Sequence, residues 1–181
     1  MLATLALFRT EESNIRESDP LDPTVSRLAG DGMDEGVDLQ IGRKLSEAWD
    51  LTLGYTYLHS AITKSAPGDL ASNLGARLKD APMHRVAMWL SYETGPWELS
   101  AGMQYASDRA GSALPDAAGF QQYAPSYATA SAQIGYAFSK AVKLQANIYN
   151  ISDAHYYDGV DAAHVLPGAG RSVSFTTRVK F

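Results

Sequence analysis

Apolar and polar residues alternate with a period of two through most of the chain. In the final stretch Val173, Phe175, Val179 and Phe181 share one face, while Ser172, Ser174, Thr176, Arg178 and Lys180 share the other. Upstream, Trp49, Leu51, Leu53, Tyr55 and Tyr57 oppose Asp50, Thr52, Gly54 and Thr56. Trp97, Leu99, Ala101, Met103 and Tyr105 oppose Glu98, Ser100, Gly102 and Gln104. The same pattern holds from Tyr127 to Phe138, from Val142 to Tyr149 and over Val37, Leu39 and Ile41. Val86, Met88, Leu90 and Tyr92 form another apolar face, with Trp89 interrupting the polar side. Leu2 to Arg9 reads as a further strand without resolved faces. The pattern predicts about eight strands and no amphipathic helix.

Alternation alone fits a half-buried strand of a soluble sandwich as well as a strand in lipid. Loop length separates the two. The connections around 11–26, 60–82, 108–124 and 152–170 are long, and those at 43–48, 94–96 and 139–141 are short. Long and short connections thus alternate, as they do in outer-membrane barrels with short periplasmic turns and longer extracellular loops. Aromatics follow the same order. Trp49, Tyr92, Trp97, Tyr136, Phe138 and Phe181 lie beside the short turns or at the C-terminus, and Tyr55, Tyr57 and Tyr105 near the long loops. Two aromatic belts are expected at the two interfaces of a membrane barrel; good strand propensity alone also enriches Tyr and Trp.

Composition narrows the class. No apolar run reaches the length of a transmembrane helix. The absence of Cys excludes a disulfide scaffold and a thiolate metal site. A net charge of −5 argues against nucleic-acid binding. No nucleophile–base pair, phosphate loop or paired acid site stands out, so the chain reads as a non-enzyme without a cofactor.

Several phrases carry a family resemblance. They are Asn147 to Tyr157 (NIYNISDAHYY), Pro167 to Ser172 (PGAGRS), Gly36 to Gln40 (GVDLQ), Trp49 to Tyr57, Ala81 to Arg85 and Ala6 to Thr10. Together, and in this order, they resemble the C-terminal part of a TonB-dependent outer-membrane receptor, most of all the siderophore receptors. The resemblance implies an all-β, antiparallel, up-and-down transmembrane barrel portion over residues 1–181. It implies location in the Gram-negative outer membrane, with the C-terminus periplasmic. The family also has an N-terminal plug, a TonB-contacting segment and a barrel of about 22 strands. Leu2 to Phe8 reads as strand interior rather than signal peptide, so the chain is expected to begin partway through a barrel.

The implied partners of the parent protein are outer-membrane lipid, a ferric siderophore or similar chelate, and the TonB system through the plug. The barrel-assembly machinery is a further implied partner, reading Phe175 and Phe181. An open sheet edge in lipid is costly, so the sheet must join further strands, close on itself as a small barrel, or stay out of the membrane. A small closed barrel of structural or adhesive role and a soluble all-β binding domain remain open alternatives.

Candidate ligand contacts are Arg109, Phe120, Tyr123, Tyr157 and Arg171, near the strand ends that face the long loops. Arg and aromatics there suit an anionic chelate through charge and stacking; girdle or wall packing is the competing role. The loop His155 to His164 holds two His and two Asp between its ends in no compact ligand spacing, and reads as solvated loop without a metal.

Overall fold

The computed structural model describes residues 1–18, 26–64, 74–112, 122–161 and 164–181. Eight strands make the main sheet: β1 (Leu2–Ser18), β2 (Ser26–Lys44), β3 (Trp49–Lys64), β4 (His84–Thr94), β5 (Trp97–Ala106), β8 (Tyr127–Ala137), β9 (Val142–Tyr149) and β12 (Ser172–Val179). Two small hairpins sit in the long connections. They are β6 (Arg109–Ala110) with β7 (Tyr123–Ala124), and β10 (Tyr157–Val160) with β11 (Val165–Pro167). The main sheet runs β1-β2-β3-β4-β5-β8-β9-β12, so each strand pairs antiparallel with its neighbours in chain order. The order ends at β1 on one side and β12 on the other, and among the described residues these two do not pair. The sheet is therefore open, and the small closed barrel is not adopted.

Register carries the alternation across the sheet in rows. One row runs Ala3, Ile41, Leu53, Met88, Met103, Ala130. Another runs Trp49, Tyr92, Leu99, Ile134, Ala146, Phe175. The opposite face carries Ser91, Ser100, Gln133, Asn147 and Ser174 in one row. Because side-chain direction repeats every two residues, this register keeps every row on one face.

The apolar face is uncovered. Leu7 is 78% exposed, Phe138 62% and Phe175 82%. Among the described residues the buried apolar ones are Ala61, Ile62, Ala106, Ala110, Ala124 and Val160, all at or beyond the strand ends that lead into the long connections. A water-soluble sheet buries its greasy face; an exposed apolar band of this extent needs another apolar phase against it. Aromatic pairs mark the short-turn edge of the band. Trp49 lies 4.6 Å from Tyr92, Trp97 4.6 Å from Tyr136 and Tyr136 4.7 Å from Phe138, measured between ring centroids. At the other edge the Tyr55 hydroxyl stands 3.0 Å from His84 Nδ1, and Tyr57 packs on the same imidazole. These are the two aromatic belts that the sequence predicts.

Two long connections are shorter than expected. Much of the stretch around 11–26 is strand, because β1 and β2 keep pairing from Glu11 opposite Met33 to Ser18 opposite Ser26. Likewise β3 continues to Lys64, inside the expected 60–82 connection. Past the apolar band the two-residue period fades, with Ala61 and Ile62 buried in succession on β3, while the backbone ladder goes on. A register shift beside Asn14, whose φ is +62°, breaks that ladder without ending it.

Candidate functional site

At the long-connection end, three segments meet in one cap. They are residues 74–83 between β3 and β4, the β6–β7 hairpin between β5 and β8, and residues 150–170 between β9 and β12. Arg109 lies at their junction and is 1% exposed. Its Nη1 donates to Asp80 Oδ1 at 3.0 Å and to the Asp158 carbonyl at 3.0 Å. Its Nη2 donates to the Tyr157 carbonyl. The guanidinium carbon stands 5.8 Å from the centroid of the Tyr127 ring, and Tyr127 stacks on Tyr156 at 4.4 Å. A carboxylate and two carbonyls replace water at the two Nη groups, which makes burial of the guanidinium tolerable, while Nε is buried without a partner.

Further bonds tie the same segments. The Asp80 amide donates to the Ala110 carbonyl at 2.9 Å, from a left-handed backbone (φ +54°) that Asp accepts more readily than most residues. Arg77 bonds Asp108 at 2.9 Å, and Lys79 bonds Asp161 at 2.8 Å. Burial pushes the Tyr156 hydroxyl above its ordinary range, with Asp158 and Tyr127 adding to the effect.

Asn150 organises the exit from β9. It is buried and left-handed (φ +48°). Its Oδ1 accepts from the Ala154 amide at 2.9 Å, and its Nδ2 donates to the carbonyls of Ala154 and Ala169 at 2.9 and 3.0 Å. Asp153 Oδ1 accepts from the Arg171 amide at 2.8 Å. The NIYNISD phrase is thus a clasp that brings the end of the long connection back to its start.

The polar face of the sheet is a second candidate surface. A cleft of about 700 Å³ runs along it, bordered on that face by Asp38, Gln40, Thr56, Arg85, Trp89 and Gln104. Glu98 faces Glu93 across the β4–β5 pair. Lys143 pairs with Glu98, and Gln133 Nε2 donates to the same carboxylate at 3.1 Å. Gly135 leaves room for the lysine stem, since a Cβ there would stand 3.2 Å from Lys143 Cε. Arg178, by its place in the alternation, and Arg85 and Glu93, by register, lie on this face too; among the described residues they form no ion pair.

The expected ligand contacts are distributed as follows. Arg109 is consumed by internal partners and offers no guanidinium surface. Tyr123 is 52% exposed on β7, and Tyr157 is 37% exposed on β10, two strands that pack against each other. Arg171 is half exposed beside Asp153, its Nη1 within 3.4 Å of the Ile151 carbonyl, at the base of the cap. Phe120 lies outside the described residues. His155 and His164 are both exposed, and no group of three or more metal-ligating side chains occurs among the described residues. Asp80, Tyr127, Tyr156 and Asn150 escaped the sequence reading. Asn150 and Asp80 carry a weak signal, as Asn or Asp at turns that need a left-handed residue.

An open antiparallel sheet that exposes an apolar band between two aromatic belts, with a polar opposite face and a cap over one end, defines a stretch of transmembrane β-barrel wall. The chain belongs to the TonB-dependent receptor β-barrel family, whose description, "TonB dependent receptor-like, beta-barrel", matches residues 1–151. A probable TonB-dependent siderophore receptor of Acinetobacter baumannii, PiuA, is 30% identical over 98% of this chain and 24% of its own length. The catecholate siderophore receptor Fiu of Escherichia coli K12 is 28% identical over 100% of this chain and 24% of its length. The crystal structure of PiuA superposes with a TM-score of 0.79 at 28% identity, covering 97% of this chain and 26% of that one. This chain spans about a quarter of the length of the curated relatives it matches.

Proposed function

We propose that residues 1–181 form the C-terminal barrel wall of an outer-membrane receptor that takes up ferric siderophores or similar chelates. In this reading the short turns and the C-terminus face the periplasm and the cap faces outward. The inverted burial pattern carries the proposal: the apolar face is exposed along the sheet, while the small apolar core lies in the cap. The open edges at β1 and β12 support a wall that continues into further strands, because unpaired backbone groups in lipid cost several kcal/mol each. The plug, the TonB contact and the energy they supply belong to the rest of the receptor. The role is transport rather than catalysis, as it is for the receptors named above.

Ligand contact falls to Tyr123, Tyr157 and Arg171, with Phe120 as a further candidate. The Tyr rings suit stacking on an aryl chelate, and a relative is itself a catecholate siderophore receptor. The test is deletion of the gene that encodes the chain, followed by growth under iron restriction on a panel of ferric catecholates and hydroxamates. Loss of growth on one chelate class, restored by the intact gene, is the expected result. Unchanged growth on every chelate, with no heat-modifiable product in the outer membrane, would sink the reading.

A further inference from the structure

The cap contains a buried cation that the proposed ligand cannot reach. Arg109 is enclosed on all sides, yet it joins three different connections: Asp80 comes from one, Tyr157 and Asp158 from another, and Arg109 itself stands on the third. Within 2.9 Å the Asp80 amide also meets the Ala110 carbonyl, next to Arg109 in sequence. A Cβ on Gly111 would stand 3.0 Å from the Asp161 carbonyl, so the chain just after β6 lies directly against the segment that carries Tyr157 and Asp158. The two exposed rings, Tyr123 and Tyr157, sit on two of the three segments that Arg109 joins.

We propose that Arg109 is a positioning residue: it locks the three outward connections into one cooperative cap and thereby sets the spacing of the Tyr123 and Tyr157 rings. The locking follows from geometry. Planar guanidinium donors point in fixed directions, so one group can satisfy a carboxylate and two carbonyls only when all three segments are in register. Separation of any segment strands a buried charge, which makes partial opening unfavourable and whole-cap opening the cheapest alternative. The Tyr127 ring beside the guanidinium, stacked on Tyr156, extends the lock to the start of β8. The role of the two Tyr rings rests on the chelate-receptor reading above; the cooperative opening does not.

The experiment uses the intact receptor that carries this chain, folded in detergent, as wild type, Arg109→Gln, Arg109→Lys and Asp80→Asn. Hydrogen–deuterium exchange is followed in peptides covering 76–83, 106–112, 122–128 and 154–161, with residues 49–56 of β3, 97–104 of β5 and 130–137 of β8 as fold controls. Arg109→Gln should raise exchange in all the cap peptides together, by about tenfold or more, and leave the controls unchanged. Affinity for the chelate should fall by a similar factor, about tenfold. Arg109→Lys keeps the charge without the planar fork, and should restore affinity only in part. Asp80→Asn should loosen the same set of peptides less. Exchange raised only in 106–112 would overturn the proposal. So would faster exchange in the sheet controls, which would make Arg109 a folding residue, or an unchanged affinity. A wild-type receptor that binds no chelate would reject the receptor reading, while the exchange pattern still decides whether the cap is locked by Arg109.

Discussion

The indole of Trp89 lies across Gly102 on the adjacent strand. The two residues are paired in register, and a Cβ on Gly102 would stand 1.8 Å from Cε3 of the ring. The large aromatic that interrupts the polar face is thus accommodated by the absence of a side chain directly opposite, and it borders the polar cleft. Gly in a strand interior marks this kind of close approach.

That relationship is open to a double-mutant cycle. Gly102→Ala should lower the stability of the folded barrel by about 1–3 kcal/mol through overpacking. Trp89→Ala should remove most of that penalty, so the double variant should be more stable than the sum of the singles predicts. Urea unfolding of the barrel in detergent measures it. Strict additivity would show that the ring and the glycine are not coupled.

The ion pair on the polar face gives an ordered prediction. Lys143→Met leaves Glu98 opposite Glu93 with only Gln133 to satisfy it, whereas Glu98→Gln removes the pair and the repulsion together. Both members are about a third exposed, so the pair is partly screened by solvent. Lys143→Met should cost about 1 kcal/mol, and Glu98→Gln less. Equal or reversed effects in the same unfolding assay would contradict the assignment of Lys143 as the partner of Glu98.

Asn150 should be intolerant of its nearest substitutes. Asn150→Ala loses three hydrogen bonds from a buried site and must hold a φ of +48°, which Ala resists. The local cost is expected at about 2–3 kcal/mol. Asn150→Gly keeps the backbone and should recover only the conformational part. Proteolysis of the connection 151–170 reports the clasp: fastest cleavage is expected for Ala, intermediate for Gly, slowest for wild type. A Gly variant as resistant as wild type would show that the side-chain bonds contribute nothing.

Why the sheet was legible and the cap was not follows from the same residues. A two-residue period fixes faces wherever one face meets lipid, so the rows through Leu53, Met88 and Met103 could be read directly. Beyond the band, Arg9, Glu11, Asp34 and Glu35 obey no such rule, and the extended β1–β2 hairpin looked like loop. The cap depends on contacts between residues far apart in sequence. Arg109 and Asp158 are 49 residues apart, and no local pattern predicts that they meet. Position near a strand end marked Arg109 as a candidate contact, but burial and partner count decide its role, and neither is written in its neighbourhood.

Asp34, past the apolar band on β2, supplies a pH prediction. Burial raises its pKa above 3.8, and Glu12 adds to the shift. One carboxylate oxygen is buried without a partner. A group whose folded pKa is raised favours the folded state when protonated. The outer β1–β2 hairpin should therefore tighten as pH falls through the raised value toward 3.8, and loosen again above it. Asp34→Asn should give the tight form at neutral pH and flatten the dependence. Hydrogen exchange in peptides covering 9–16 and 30–36, measured across that window, would contradict this if wild type and Asn variant respond alike.

The final prediction concerns Phe181. It packs on nothing within the sheet, being fully exposed, and Phe175 is 82% exposed on the same alternating face. Both offer their rings to lipid or to another protein, and an aromatic at the short-turn interface is favoured there. If the barrel-assembly machinery reads this stripe, the effect of removal is kinetic. Phe181→Ala should shift the unfolding midpoint of barrel already folded in detergent by no more than about 1 kcal/mol. It should sharply lower the amount of heat-modifiable barrel in the outer membrane of cells expressing the receptor. Phe175→Ala should act in the same direction, and the double variant more strongly than either. Equal folded amounts in wild type and variants would make the two phenylalanines ordinary lipid-facing residues, with no part in recognition.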